Sequence, residues 1–190
     1  MTLDEQFACA VLPDRWRVCG RVLRPIALGH LLVLQRLGSP FLVGGLPGPS
    51  DLSVALYVCS HRATDVMDAW HETLPRKWRW LGYRVALLAT FWPAVYLTRC
   101  AMFAEYLAES NRAPAVWMPQ NNDRVRKATT PRLLHFHSQL MRCGLSSADA
   151  WNTPMELARF IIDARLEEDG IVTFRSEHER EVAEMNAAAN

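Results

Sequence analysis

The stretch Thr153-Pro154-Met155-Glu156-Leu157-Ala158-Arg159-Phe160-Ile161-Ile162-Asp163-Ala164, closed by Gly170, carries a full set of helix signals. Thr153 and Glu156 have the spacing of a capping box, and Pro154 falls at the first helical position, where its missing N–H costs nothing. Leu157, Phe160, Ile161 and Ala164 make the expected inward face, with Glu156, Arg159, Asp163 and Glu167 outward. Upstream, Arg132 to Cys143 reads as a helix closed by Gly144. Ser146 or Ser147 caps a short turn reaching Trp151, which is expected to pin these helices together. Downstream, Ile171 to Phe174 suits a brief strand, and Ser176-Glu177-His178-Glu179 suits a capping box for a weak terminal helix.

Nearer the N-terminus, Arg24-Pro25-Ile26 opens another helix, with Ile26, His30, Val33, Leu34 and Leu37 on one face. Gly38-Ser39-Pro40 ends it, and the Gly- and Pro-rich run Phe41 to Pro49 is expected as a loop. Ser50 or Asp51 caps a helix through Cys59 that is apolar nearly all round, which places it centrally. Thr64 and Asp65 open a short helix to Trp70. A long helical pattern then runs from about Lys77 to Ser110, bent at Pro93. The most apolar stretch is Val85 to Thr98, 14 uncharged residues between Arg84 and Arg99. A bilayer-spanning helix needs about 20, so this reads as a buried helix.

The expected class is mostly α, with at most short β-strands: a helical bundle-like N-terminal unit over 21–110 and a smaller C-terminal helical unit over 132–170. Residues 1–20 form a loose lead-in with a short strand at Arg15-Trp16-Arg17-Val18. Residues 111–131 are a Pro- and Asn-rich linker, and 171–190 a tail with a weak terminal helix.

The 190 residues are half hydrophobic and 22% charged, which excludes a wholly disordered or collagen-like chain. Net charge is +1, too small for the whole chain to be a polyelectrolyte seeking nucleic acid or an anionic membrane. The charge is nevertheless uneven, +4 over 61–130 against −4 over 131–190. Cys9, Cys19, Cys59, Cys100 and Cys143 are odd in number and form no Cys-x-x-Cys pair, so a disulfide scaffold or zinc ribbon is not expected. The absence of a secretory signal pattern in Met1 to Asp14 adds to the expectation of an intracellular protein without a membrane partner.

Chemistry-bearing patterns are sparse. His135 and His137 stand two apart on a helix and point away from each other, so they cannot share an ion. His30 reads as a hydrogen-bonded core histidine. Ser39, Ser50 and Ser60 lack a nucleophile elbow, and Gly44, Gly45 and Gly48 form no phosphate loop. Glu167-Glu168-Asp169 at a helix C-terminus reads as a solvated end. The expectation is a protein without catalytic residues, metal or cofactor.

Two stretches suit binding. Ala113-Pro114-Ala115-Val116-Trp117-Met118-Pro119 is apolar and held extended by its prolines, which leaves Val116, Trp117 and Met118 to pack at home or anchor a partner. Arg76-Lys77-Trp78-Arg79-Trp80, with Arg84 beyond, interleaves cations and indoles. Trp78 and Trp80 are lesser candidates for partner contact. Arg76, Lys77, Arg79 and Arg84, joined by Arg124, Arg126 and Lys127 of the linker, would serve the alternative of a nucleic-acid-binding regulator.

Leu23-Arg24-Pro25, Leu28-Gly29-His30, Leu37-Gly38-Ser39-Pro40-Phe41, Asp51-Leu52 and Val58-Cys59-Ser60 resemble the opening of small proteins encoded in bacteriophage and prophage tail gene clusters. Cys143-Gly144-Leu145-Ser146 and Ala150-Trp151-Asn152-Thr153-Pro154-Met155-Glu156-Leu157 resemble the C-terminal helical segment of phage tail assembly chaperones. The resemblance covers about residues 22–60 and 132–170. It implies a non-enzymatic factor of the bacterial host cytoplasm that holds the tape measure protein, or other tail proteins, during virion morphogenesis. Within the same setting a structural minor tail or connector protein is the other option. Opposite charges of the two halves leave room for head-to-tail homo-oligomers, limited by screening to close contacts.

Overall fold

The computed structural model describes residues 3–11, 16–69, 75–110, 116–117 and 131–174, together with Met185. The fold is mostly helical, as expected. Helix α1 spans Leu3–Val11, and strands β1 (Arg17–Val18) and β2 (Arg21–Val22) follow. Then come α2 (Leu28–Arg36), α3 (Pro40–Val43), α4 (Pro49–Ser60), α5 (Ala63–Asp68), α6 (Arg76–Phe91) and α7 (Pro93–Glu109). Strand β3 (Val116–Trp117) precedes α8 (Arg132–Arg142), α9 (Ser147–Asn152), α10 (Met155–Glu168) and β4 (Thr173–Phe174).

Helices α2, α8 and α10 end alike. Gly38, Gly144 and Gly170 adopt φ of +60°, +94° and +69°, the left-handed turn that a side chain would strain. The next N–H reaches back over that turn: Ser39 to the Leu34 carbonyl at 3.0 Å, Leu145 to Leu140 at 3.2 Å and Ile171 to Leu166 at 2.8 Å. These are Schellman closures, and they satisfy carbonyls the helix would otherwise orphan.

The helix starts differ from expectation. Neither Pro25 nor Pro154 lies inside its helix: Pro25 stands three residues before α2, and Pro154 (φ −54°, ψ 140°) just before α10. Ala27 and Pro154 pair as an antiparallel bridge, and the Met155 N–H donates to the Ile26 carbonyl at 2.8 Å. Thr153 donates its hydroxyl to the Asp149 carbonyl at 2.8 Å, so it closes α9 and does not cap α10. The inward face of α10 is accordingly turned: Met155, Ala158 and Phe160 are buried, while Ala164 is exposed. Phe160 meets Phe7 edge-on at 5.6 Å, and this contact with α1 helps set the turn. Residues 3–11, expected as loose, are helical because α10 gives Phe7 and Ala10 an apolar surface and Asp4 and Glu5 complement the first turn.

The expected strand near Arg17 is the first arm of a hairpin. Cys19 and Gly20, at φ +50° and +75°, make its two-residue turn. Pro40–Val43, expected as loop, forms one helical turn with Pro40 leading. Helix α4 is central, packing on α2, α5, α6 and β2, with Leu52, Ala55, Leu56 and Cys59 fully buried. Asp51 does not itself start α4; its carboxylate reaches back to accept the Gly48 N–H at 2.8 Å. One apolar cluster runs from Val18 through Leu34, Leu56 and Phe103 to Leu140 and Ala158, so residues on both sides of 111–131 share it.

The long helical pattern is two helices broken at Trp92 (φ −136°, ψ 65°), just before Pro93, rather than one bent rod. Its apolar centre is not buried. Phe91 is 65% exposed and Trp92 60%, with Val95 and Leu97 also open to solvent. The break removes the corner from the helix–helix contacts that cover Val85, Tyr96 and Cys100. The tail helix expected after Ser176 lies outside the described residues apart from Met185.

Candidate docking groove

A groove of about 910 Å³ lies between α2, α3, α8, α9 and α10. Leu31, Leu32, Leu133, Phe136, Trp151 and Met155 supply apolar walls, and Leu42, Val43 and Leu134 extend them to the exposed rim. Arg36, Arg132 and Arg159 stand around it, and among the described residues no acidic side chain lines it. The Arg132 guanidinium lies over the Phe136 ring at 5.8 Å, a cation–π contact that holds charge above an apolar floor. Burial, followed by the neighbouring Arg132 charge, lowers the Arg159 pKa, while Asp163 and Glu156 act the other way. Burial also pushes the Asp163 carboxyl up.

The floor is fixed by close packing. A Cβ on Gly29 would stand 2.7 Å from Met67 Sδ, 2.8 Å from Ala63 Cβ and 3.3 Å from the Trp151 carbonyl, so α2 meets α5 and α9 where only hydrogen fits. Asn152 locks α9 to α5: its amide accepts from the Thr64 N–H at 3.2 Å and donates to Thr64 Oγ1 at 3.0 Å. Trp151 stacks on His137 at 4.1 Å, joining α9 to α8 in the pinning role expected of it. His137 is buried and its Nε2 lies 3.2 Å from Ser147 Oγ, whereas His135 is exposed.

His30 sits behind the groove as the expected core histidine. Its Nδ1 accepts the Ala27 N–H at 3.1 Å, so the proton is on Nε2, which donates to the His61 carbonyl at 2.9 Å. Burial dominates its electrostatics and lowers its pKa from 6.5 to about 4. Among the described residues no group of three or more His, Cys, Asp or Glu is placed to hold a metal ion.

Of the expected contact residues, Trp78 and Trp80 are not among the described residues that line this groove. Val116 and Trp117 form β3, whose backbone pairs with Phe174 and Thr173 of β4; Met118 lies outside the described residues. Trp78 needs correction as a partner anchor. It is buried against Tyr57 at 5.1 Å and His61 at 5.3 Å, with the Arg21 guanidinium 4.6 Å from its ring. Trp80, two residues on, faces the opposite way and is 60% exposed, with Arg84 at 4.7 Å. Arg76 and Arg79 are exposed on the same helix, α6, which also carries Lys77 in its backbone; Arg124, Arg126 and Lys127 lie outside the described residues.

The sequence reading missed the groove, although a signal existed. Leu31 and Leu32 widen the apolar face of α2 beyond His30, Val33 and Leu34, and Leu134 lies off the buried His137–Leu140 face of α8. Apolar residues beyond one face on two helices are what a groove between them requires. The chain matches no protein-family model, no curated protein and no solved structure.

Proposed function

We propose that this chain is a non-enzymatic polypeptide-binding protein that holds a helical segment of another protein in the α2–α8–α10 groove. The apolar walls under a rim of arginines carry this reading. Such a surface complements an amphipathic helix with apolar side chains on one face and carboxylates at its margins. With the resemblance of residues 22–60 and 132–170 to phage tail proteins, the partner is the tape measure protein or another tail component. The site of action is then the bacterial host cytoplasm during tail assembly.

Co-expression with a tape measure protein from the same gene cluster tests this. The intact chain keeps that partner soluble and co-purifies with it. Leu134→Asp combined with Val43→Asp, both at exposed rim positions, releases it without touching the buried core. A tape measure equally insoluble with and without the chain defeats the tail-chaperone reading. Equal retention by the double variant removes the groove from it.

A further inference from the structure

We propose that the corner between α6 and α7 seats in one leaflet of an anionic membrane surface. No helix among the described residues is long and apolar enough to cross a membrane, and a corner that dips into one leaflet has no need to cross. The expectation of no membrane partner rested partly on reading Val85 to Thr98 as buried, whereas Phe91, Trp92, Val95 and Leu97 within it are exposed and Val85 and Tyr96 are covered.

Three observations converge on this surface. The first is exposure: Trp80, Tyr83, Phe91, Trp92, Val95 and Leu97 are between 42% and 65% exposed, and all lie on the two legs or at their junction. Trp80, Tyr83, Leu87 and Phe91 follow one face of α6 at spacings of three and four. The second is charge. From Arg76 to Ala104 the chain carries Arg76, Lys77, Arg79, Arg84 and Arg99 and no acidic residue. The Asp51 carboxylate acts electrostatically on Tyr96 and is engaged by the Gly48 N–H at 2.8 Å.

The third is spacing. Arg84 precedes Phe91 by seven residues and Arg99 follows Trp92 by seven, so each stands about 10 Å along its helix from the corner. Their guanidinium groups reach away from the corner, Arg84 to the Trp80 ring at 4.7 Å and Arg99 to Met102 Sδ at 3.2 Å. They therefore stand on the headgroup side when the tip sinks the roughly 5–10 Å usual for an interfacial apolar face. Tyr83, about 12 Å along α6 from the corner, falls near the interfacial zone, where aromatic rings with one polar end are favoured. A second copy of this chain is a poorer occupant, because pairing the corners would bring two wholly basic belts together.

Co-sedimentation with vesicles of three parts phosphatidylcholine to one part phosphatidylglycerol reads this directly. The intact chain pellets with these vesicles and stays in solution with pure phosphatidylcholine. Phe91→Ser with Trp92→Ser, at exposed positions and with an unchanged thermal melt, weakens partitioning about tenfold or more. Arg79→Gln with Arg84→Gln weakens it roughly 20- to 30-fold, about fivefold per cation. Four results overturn the proposal: no pelleting with the anionic vesicles, equal pelleting with neutral ones, indifference to the Phe91/Trp92 variant, or a dimer in solution that this variant dissociates. None of them bears on the groove, whose test uses α3 and α8.

Discussion

Acidification from about pH 7.5 to about pH 5 is expected to remove about 2 kcal/mol of folding stability through His30. The ring is 2% exposed and ties the Ala27 N–H at the start of α2 to the His61 carbonyl at the end of α4. The Ala27 bond needs the neutral ring, since a proton on Nδ1 would face the Ala27 N–H, whereas Nε2 can donate to the His61 carbonyl in either state. The folded value of about 4 lies below the ordinary 6.5, so the unfolded chain takes up the proton first. This contribution is therefore complete above about pH 6.5, falls as pH drops, and levels off below about pH 4, for a total of about 3 kcal/mol. Asp163, whose carboxyl is pushed up by burial, has the opposite sign nearer its own range, so measurements are best kept above about pH 5.

Urea titrations followed by circular dichroism at the two pH values, on the intact chain and on His30→Gln, give the comparison. The variant loses a well-shaped partner for two backbone groups and is less stable at neutral pH, by about 1–3 kcal/mol per group left unpaired. Its stability then varies less with pH by the His30 share. If the intact chain keeps its stability down to about pH 5, or the variant shows the same loss, the neutral buried ring is the wrong account.

Two more substitutions probe the packing that shapes the groove. Gly29→Ala gains about 1 kcal/mol of helix propensity but must displace Ala63, for a net loss of about 1–2 kcal/mol in urea unfolding; unchanged stability would mean that α2 and α5 are farther apart than described. Tyr106→Phe deletes the hydroxyl that donates to the Arg24 carbonyl at 2.6 Å in a side chain 1% exposed, and is expected to cost about 1–3 kcal/mol; a neutral result would show that carbonyl to have another partner.

Local signals were enough for the helical class and for many element ends. A left-handed turn is decided within a few residues, so Gly38, Gly144 and Gly170 closed α2, α8 and α10 where the pattern placed them. The all-round apolar character of α4 likewise implied its central place. The candidate site was far less legible, because a groove is made by residues distant in sequence. Leu32, Leu134 and Met155 have no local relation that announces a shared wall.

By itself, then, the order of residues determined periodicity, caps and the run of charge, all properties of neighbours along the chain. Tertiary structure decided which apolar side chains stay covered. Val85 to Thr98 is uncharged throughout, yet its corner stands open because the chain breaks at Trp92 and other elements cover Val85, Tyr96 and Cys100 instead. Trp78 and Trp80 look alike in sequence, but their side chains leave the helix about 200° apart, and α4 covers one of them. Hydropathy measures what a segment contains, whereas burial depends on what crosses it.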